Sequence, residues 1–184
     1  MLSATSRPAE QERVYPLLPT LRGLTQPLYA LIDAAQDQAI LPLLLSCTAP
    51  RDCLFEGVHA QTLPAYAAYL VQLTGNDPLL ETLVQRGWGR HWGVYLTSAE
   101  PFAAVLAHLR QRCWVRDPGG ARLYFRYFDP RVMRTAFAAM GQSELAAFLG
   151  PVSTFFVEAE VADGMRCWHS QDQGVRCYDL KVKR

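Results

Sequence analysis

The segment LYALID, residues 28–33, constrains the fold most, because it is an unbroken apolar run that ends in an acid. Such a run is typical of a buried β-strand. Further strand and helix patterns alternate along the chain. This alternation predicts an α/β or mixed α+β fold, a single lobe in which a central, partly parallel sheet is flanked by helices and followed by a short C-terminal β-hairpin.

Two Asp-Pro pairs mark helix starts. In DPLLETLVQRG (77–87), Asp77 can accept hydrogen bonds from the free backbone N–H groups, and Pro78 suits the first helical position. Asp129 and Pro130 repeat the arrangement, and a carboxylate at this point also favours the helix dipole. We therefore expect a helix after each pair.

The chain is divided into three parts by composition. Residues 1–27 are rich in Pro, Gln, Ser and Thr without a sustained period, which predicts a loosely ordered N-terminal arm. Residues 28–152 form the α/β domain. Residues 153–184 are predicted to form a hairpin around the turn ADG (162–164) and a basic tail, both packed on the same domain.

Charge and hydropathy exclude several classes of protein. Half of the 184 residues are apolar, and 18 basic residues balance 17 acidic ones, so no general field favours nucleic acid or an anionic membrane. The N-terminus lacks a secretory signal pattern, and the apolar run Ala39–Leu45 is far shorter than the roughly 20 residues that span a bilayer. We expect a soluble cytoplasmic protein that binds no nucleic acid and does not insert into a membrane.

The five cysteines are odd in number and unevenly spaced. In a chain without an export signal, this pattern indicates reduced thiols and no structural disulfide. Cys167, His169 and Cys177 offer a partial zinc site, but a fourth ligand is missing and the spacing fits no compact zinc motif. We expect no bound metal and no cofactor.

Three acids at predicted strand ends, Asp33, Glu56 and Asp129, form the alternative site. They could surround a pocket for a metal or small molecule in an α/β enzyme or binding domain. The sequence has no G-x-S-x-G, no Gly-rich phosphate loop and no H-E-x-x-H, so it specifies no enzyme.

The segment RLYFRYFD (122–129) alternates in the manner of a strand, which places Arg126 mid-strand among aromatic residues. An arginine in such surroundings needs a carboxylate or a stacking partner, because burying its charge alone is costly. We expect Glu56 or Asp33 to pair with it, unless the guanidinium is offered to a partner protein.

The segment GWGRHWG (87–93) contains two tryptophans at a predicted helix-to-strand turn. Trp88 and Trp92 either plug the edge of the core or, beside Arg90 and His91, form an exposed interaction hot spot. Both interpretations remain open at this stage.

Seven motifs in chain order add up to a family: YALID (29–33), LFEG (54–57), LPAYAAYLVQL (63–73), GWGRHWGVYLTS (87–98), PFAAVLAHLR (101–110), RYFDPRV (126–132) and FLGPV (148–152). Their order and spacing resemble the DUF4123 domain of the type VI secretion adaptors, also called effector chaperones. The resemblance covers about residues 28–152, and its aromatic-Asp-Pro-Arg element is the most specific part.

The resemblance implies a non-enzymatic adaptor that binds a toxic effector in the producing bacterium and helps to load it onto a VgrG-type spike protein. The positions that match the family pattern are Asp33, Glu56, Gly57, Trp88, Trp92, Arg110, Arg126, Tyr127, Asp129, Pro130 and Arg131. The residues expected to contact the partner are Trp88, Arg90, Trp92, Arg126, Tyr127 and Arg131. Those expected to maintain the fold are Asp33, Glu56, Gly57, Asp129 and Pro130.

Many relatives carry a further C-terminal lobe, whereas only a short segment follows Pro151 here. From the resemblance we expect either a minimal adaptor or one whose conserved lobe makes all the effector contacts.

Overall fold

The computed structural model describes residues 14–161 and 163–183. Its strands are β1 Val14–Pro16, β2 Leu28–Asp33, β3 Arg51–Cys53, β4 Ala68–Leu73, β5 Gly93–Thr97, β6 Trp114–Arg116, β7 Arg122–Tyr124, β8 Thr154–Glu158, β9 Gly164–Gln171 and β10 Gly174–Lys183. Its α-helices are α1 Leu17–Arg22, α2 Ile40–Ser46, α3 Val58–Thr62, α4 Pro78–Gly87, α5 Phe102–Arg112, α6 Pro130–Ala139 and α7 Gln142–Leu149. Within the described ranges, no helix has the length and apolar content needed to cross a membrane.

Eight strands form one sheet in the order β1-β10-β9-β8-β5-β2-β4-β3, and β6 and β7 form a separate two-stranded ribbon. Every neighbouring pair from β10 to β3 is antiparallel. Only the short edge strand β1 runs parallel to its neighbour, β10. The mixed α+β class is therefore confirmed, but the expectation of a partly parallel central sheet is wrong.

The physical reason lies in the unit β4–α4–β5. These two strands point the same way, as in a strand–helix–strand crossover, but β2 lies between them and pairs antiparallel with each. The local sequence pattern predicts the crossover β4–α4–β5. It does not predict that β2 lies between the two strands, because β2 is far from both of them in sequence.

Strand β2 is covered on both sides, as its apolar run predicts, and all six of its residues are buried. Leu28, Ala30 and Ile32 pack into one core with α1, α2 and α4. Tyr29 and Leu31 pack into the other core, with α5, α6 and α7. A sheet sandwiched between two helical layers leaves no face of β2 for water, so its sequence carries no polar alternation.

Both predicted helix starts are confirmed. The Asp77 carboxylate accepts a hydrogen bond from the Leu79 N–H at 2.8 Å, and Pro78 is the first residue of α4. The Asp129 carboxylate accepts from the Arg131 N–H at 2.9 Å, and Pro130 opens α6.

The two ends of the chain differ from expectation. Residues 1–13 of the predicted arm lie outside the described residues, but Leu17 and Leu21 of α1 are buried in the core, so residues 17–22 are not loose. The segment predicted as a basic tail is the long strand β10, which pairs with β9. Strands β8 and β9 form the predicted hairpin, although Ala162 of its turn lies outside the described residues.

The segment 122–129 is only in part a strand, because β7 ends at Tyr124. The chain then turns, with the Asp129 N–H donating to the Arg126 carbonyl at 3.0 Å. Tyr127 and Phe128 are consequently both buried, instead of facing opposite ways. The tight turn places Asp129 at its capping position, and residues 125–129 therefore do not follow the alternating pattern of a strand.

Candidate functional site

One end of the sheet gathers most of the predicted polar residues. Because β5 is antiparallel to β2 and to β8, the C-terminal ends of β2 and β8 lie beside the N-terminal end of β5. The first turns of α6 reach the same end, where the Arg134 guanidinium donates to the Glu158 carbonyl at 2.6 Å. We call the side chains assembled here the charged cluster: Asp33, His91, Arg126, Asp129, Arg131 and Glu158.

Asp33 is the innermost member of the charged cluster and is fully buried. One carboxylate oxygen accepts from the Ala35 N–H at 3.1 Å, and the other accepts from the Gln36 amide at 3.0 Å and from the Arg126 guanidinium. A buried carboxylate is tolerated only when it is paired and hydrogen-bonded in this way. The expected partner for Arg126 is therefore present, and it is Asp33 and not Glu56.

Arg126 is not buried, because its side chain is 44% exposed. It extends from the loop between β7 and α6, not from mid-strand as expected. Its guanidinium thus neutralises a buried acid on one side and faces solvent on the other, close to the Phe128 ring.

Asp129 and Arg131 form a second ion pair at the start of α6. The Arg131 guanidinium donates through Nε at 2.9 Å and through Nη2 at 2.6 Å, one bond to each carboxylate oxygen. Burial by itself raises the pKa of Asp129, but the hydrogen bonds from Arg131 and the charges of Arg131 and Arg126 outweigh it and lower the pKa. Asp129 is therefore ionised at neutral pH, and Arg131 is exposed beyond it.

Glu158, at the end of β8, is the member of the cluster that sequence reasoning missed. Its buried carboxylate accepts a 2.5 Å hydrogen bond from the Gly89 N–H and contacts Nδ1 of His91. A signal was present, because TFFVE (154–158) is an apolar run that ends in an acid, as LYALID is. Both runs place a buried carboxylate at the same end of the sheet.

The turn between α4 and β5 wraps around this carboxylate. Gly89 and His91 both have positive φ, 79° and 61°. A glycine adopts such a conformation freely, but for histidine it costs about 1 kcal/mol or more. The contacts with Glu158 hold the turn in this shape.

Trp88, Trp92 and Tyr127 are buried, so their assignment to partner contact is corrected. Both tryptophans pack in the core that contains α1, α2 and α4, which favours the core interpretation. The Tyr127 hydroxyl donates to the Leu109 carbonyl at 2.9 Å inside the other core. Arg90, by contrast, is exposed as expected.

Glu56 lies in a different set of contacts. Its side chain is 72% exposed and is 3.7 Å from the guanidinium of Arg110, which also pairs with Asp52 and donates to the Cys53 carbonyl. Gly57 follows with a φ of 59°, which glycine accommodates without strain. Of the three acids predicted at strand ends, only Asp33 ends a strand, because β3 ends at Cys53 and Asp129 caps α6. Each acid is paired with an arginine: Asp33 with Arg126, Asp129 with Arg131 and Glu56 with Arg110.

The structure places an arginine beside each of the three carboxylates, where the alternative site would place a metal ion or a small molecule. Among the residues that the structure describes, no group of three or more His, Cys, Asp or Glu side chains is arranged to hold a metal ion.

The possible zinc ligands near the C-terminus are not brought together. Cys167 packs with the core on one face of the sheet, while Cys177 lies opposite Trp168, which packs with the core on the other face. His169 is engaged with the Thr154 hydroxyl at 2.8 Å.

A cleft of about 650 Å³ lies between residues 54–59, helix α5 and the β6–β7 ribbon. Phe55, Arg110 and Trp114 are among its walls, and the Arg122 guanidinium lies 4.0 Å from the Trp114 ring centre. The cleft combines aromatic faces with both signs of charge, which suits recognition of a mixed polar and apolar surface.

Comparison with known proteins agrees with the motifs. The family model described as "Domain of unknown function (DUF4123)" matches residues 28–147, which is more than half of the chain. No curated protein and no solved structure matched the chain. The matched range contains Asp33, Arg126, Asp129 and Arg131, whereas Glu158 lies beyond it. This chain therefore belongs to the DUF4123 family.

Proposed function

We propose that this protein is a non-enzymatic adaptor in the bacterial cytoplasm, which binds a type VI secretion effector and helps to load it onto a VgrG-type spike protein. The proposal is supported by membership of the DUF4123 family and by the resemblance of the seven motifs to those of the type VI secretion adaptors. The effector and the spike are its partners, and it needs no cofactor.

One structural observation carries the proposal: the ionisable groups of the charged cluster satisfy one another. A general acid or base must exchange a proton with substrate, so it needs an acidic or basic atom that is free to do so. Here the carboxylates of Asp33, Asp129 and Glu158 are buried and already accept hydrogen bonds from within the fold. Such an arrangement suits a structural role at a binding surface better than a role in proton transfer.

The outward side of the cluster suits recognition of a protein. Arg126 and Arg131 each form an ion pair with a buried acid, and part of each side chain remains exposed to solvent. Arg90, which directly precedes His91 in the sequence, is also exposed. An arginine that is already fixed by one ion pair loses little conformational entropy when it donates further hydrogen bonds. These three arginines are the partner contacts that we retain.

Co-expression with the toxin and spike proteins whose genes lie nearest to the gene for this chain tests the proposal. We expect co-elution in size exclusion at micromolar concentration, which corresponds to roughly 8 kcal/mol of binding free energy or more. Arg131→Ala should weaken the complex, while Arg176→Ala, an exposed arginine on β10, serves as the matched control. Separate elution of all three wild-type proteins would refute the proposal.

The second candidate function is binding of a small molecule, and the single observation that favours it is the cleft beside Arg110. A thermal-shift screen of metabolites separates the two candidates. A dose-dependent rise in melting temperature that Trp114→Ala abolishes would favour the small-molecule function.

A further inference from the structure

The β6–β7 ribbon is separate from the eight-stranded sheet. We propose that this ribbon, with the cleft beside it, binds an extended segment of the effector that combines carboxylates with apolar side chains. The inference rests on the proposed adaptor function and names the surface and the chemistry of its partner.

The first observation concerns the stability of the ribbon. Its two strands have three residues each, and a two-stranded hairpin is at best marginally stable by itself. It is attached at its base, where the Phe125 N–H donates to the Cys113 carbonyl at 2.7 Å and the Tyr124 ring packs against Phe55. Apart from Tyr124, the residues of both strands are exposed.

The second observation is the apolar surface on both faces of the ribbon. Val115 and Leu123 are directly opposite each other and are 41% and 48% exposed. On the other face, Trp114 is paired with Tyr124 and is 41% exposed. Exposed aromatic and aliphatic pairs of this kind are typical of surfaces that become buried in a complex.

The third observation is charge. Arg116 and Arg122 are directly opposite each other, on the face that carries Trp114. Like charges at such positions repel, and the described ion pairs give neither guanidinium a carboxylate. Arg116 donates to the Gly120 carbonyl at 3.0 Å, and Arg122 lies over the Trp114 ring. Carboxylates from a partner would relieve this repulsion.

These observations define the occupant. An acidic segment would pair with the two arginines, and its apolar side chains would cover Trp114 or the Val115–Leu123 pair. A single-stranded nucleic acid also offers anionic groups and stacking bases, but the chain carries a net charge of only +1, so we choose the protein segment.

Trp114 provides a direct probe. The chain has four tryptophans, and the other three, Trp88, Trp92 and Trp168, are buried. Iodide should therefore quench the fluorescence of Trp114 selectively, and the variant Trp114→Phe identifies that component. Binding of the co-purified effector should reduce the iodide-accessible fraction by at least about half if the segment covers the ring.

The test measures binding of Arg122→Glu and Leu123→Ser to the toxin and spike proteins whose genes lie nearest to the gene for this chain. Arg122→Glu places an acid opposite Arg116, which preserves the ribbon while it reverses the charge offered to a partner. We expect about a tenfold or greater loss of effector affinity in each variant, and unchanged spike affinity. Arg176→Glu and Val161→Ser, exposed residues elsewhere, are the matched controls.

The outcomes separate the two proposals. Wild-type binding to the effector that both ribbon variants retain within about twofold would overturn this surface and leave the adaptor function intact. Loss of spike binding instead of effector binding would overturn the assignment of the partner, and saturable quenching of Trp114 by oligo(dT) at physiological salt would favour nucleic acid. Failure of the wild type to bind the effector at all would overturn both proposals.

Discussion

Asp33 and Arg126 show how one contact serves both the fold and the surface. The acid is fully buried and the arginine is half-exposed, so the same ion pair neutralises the interior and displays a guanidinium outside. The buried carboxylate of Asp33 fixes one side of the Arg126 guanidinium through the ion pair, and the other side of the guanidinium remains in solvent.

Arg126→Ala should lower the free energy of unfolding by about 3 kcal/mol, because it leaves a buried carboxylate without its charged partner. Asp33→Asn combined with Arg126→Ala should recover part of that loss, since no unpaired charge remains. Glu56→Ala is the matched control and should cost less than about 0.5 kcal/mol, because Glu56 is mostly exposed. Thermal and urea melts of the four proteins measure this. A small effect of Arg126→Ala, equal to that of Glu56→Ala, would contradict the pairing.

Asp129→Ala should cost about 0.5–2 kcal/mol at neutral pH, since it removes a helix cap. The pKa of Asp129 is lower in the folded protein than its usual value of 3.8, so its stabilisation is present above that value and is lost as the pH falls through the lower, folded value. The stability gap between wild type and variant should therefore be complete at about pH 6 and should shrink in urea melts as the pH falls below about 4. A gap that stays constant over this range would refute the ion pair with Arg131.

The cysteines should differ in reactivity while the chain is folded. Burial raises the pKa of Cys113 and of Cys167 to about 12, so neither forms the reactive thiolate, and Cys177 is exposed. A thiol reagent should modify Cys177 first, and denaturant should release all five thiols. Intact mass spectrometry follows the course of labelling. A disulfide, or a stoichiometric zinc ion in the native protein, would contradict this account.

At the scale of elements, a turn and a helix start meet at this end of the sheet. The turn between α4 and β5 depends on the Glu158 carboxylate at the end of β8, far away in sequence. The start of α6 depends on Asp129, which directly precedes the helix and caps its first turn. Distant and local contacts therefore meet at the charged cluster.

Glu158→Ala should destabilise the turn by about 2–3 kcal/mol, because the Gly89 N–H loses its acceptor and His91 keeps its positive φ without compensation. Glu160→Ala, two residues on and exposed, is the control. Hydrogen exchange should increase at Gly89 and its neighbours in the first variant alone. Unchanged exchange in that turn would show that Glu158 does not hold it.

The sequence predicts the local features well. The strand β2, the helix α4 and the Asp129 cap follow from residues that are neighbours in sequence, and all three are confirmed. The direction of pairing does not follow, because the insertion of β2 between β4 and β5 depends on contacts between distant segments.

The candidate site divides in the same way. Asp33, Arg126, Asp129 and Arg131 stand out in the motifs, and the structure brings them to one end of the sheet. The local sequence pattern did not predict that Trp88, Trp92 and Tyr127 are buried. Tryptophan and tyrosine serve both in cores and in interfaces, so their type alone does not distinguish the two.

At the scale of the whole molecule, the proposed adaptor function involves two groups of exposed residues. One is the charged cluster with its outward arginines, and the other is the β6–β7 ribbon with its cleft. An adaptor of the proposed kind engages both an effector and a spike protein. We propose the ribbon as the contact for the effector, and the same binding assays test whether Arg126 and Arg131 contact the spike.

Capture of the effector by an immobilised spike protein, with and without this chain, tests the central claim most directly. We predict that wild-type chain increases the amount of captured effector at least about tenfold, and that Arg131→Ala reduces this gain while Arg176→Ala does not. Equal capture of the effector by the spike in the absence and presence of the chain would contradict the adaptor function.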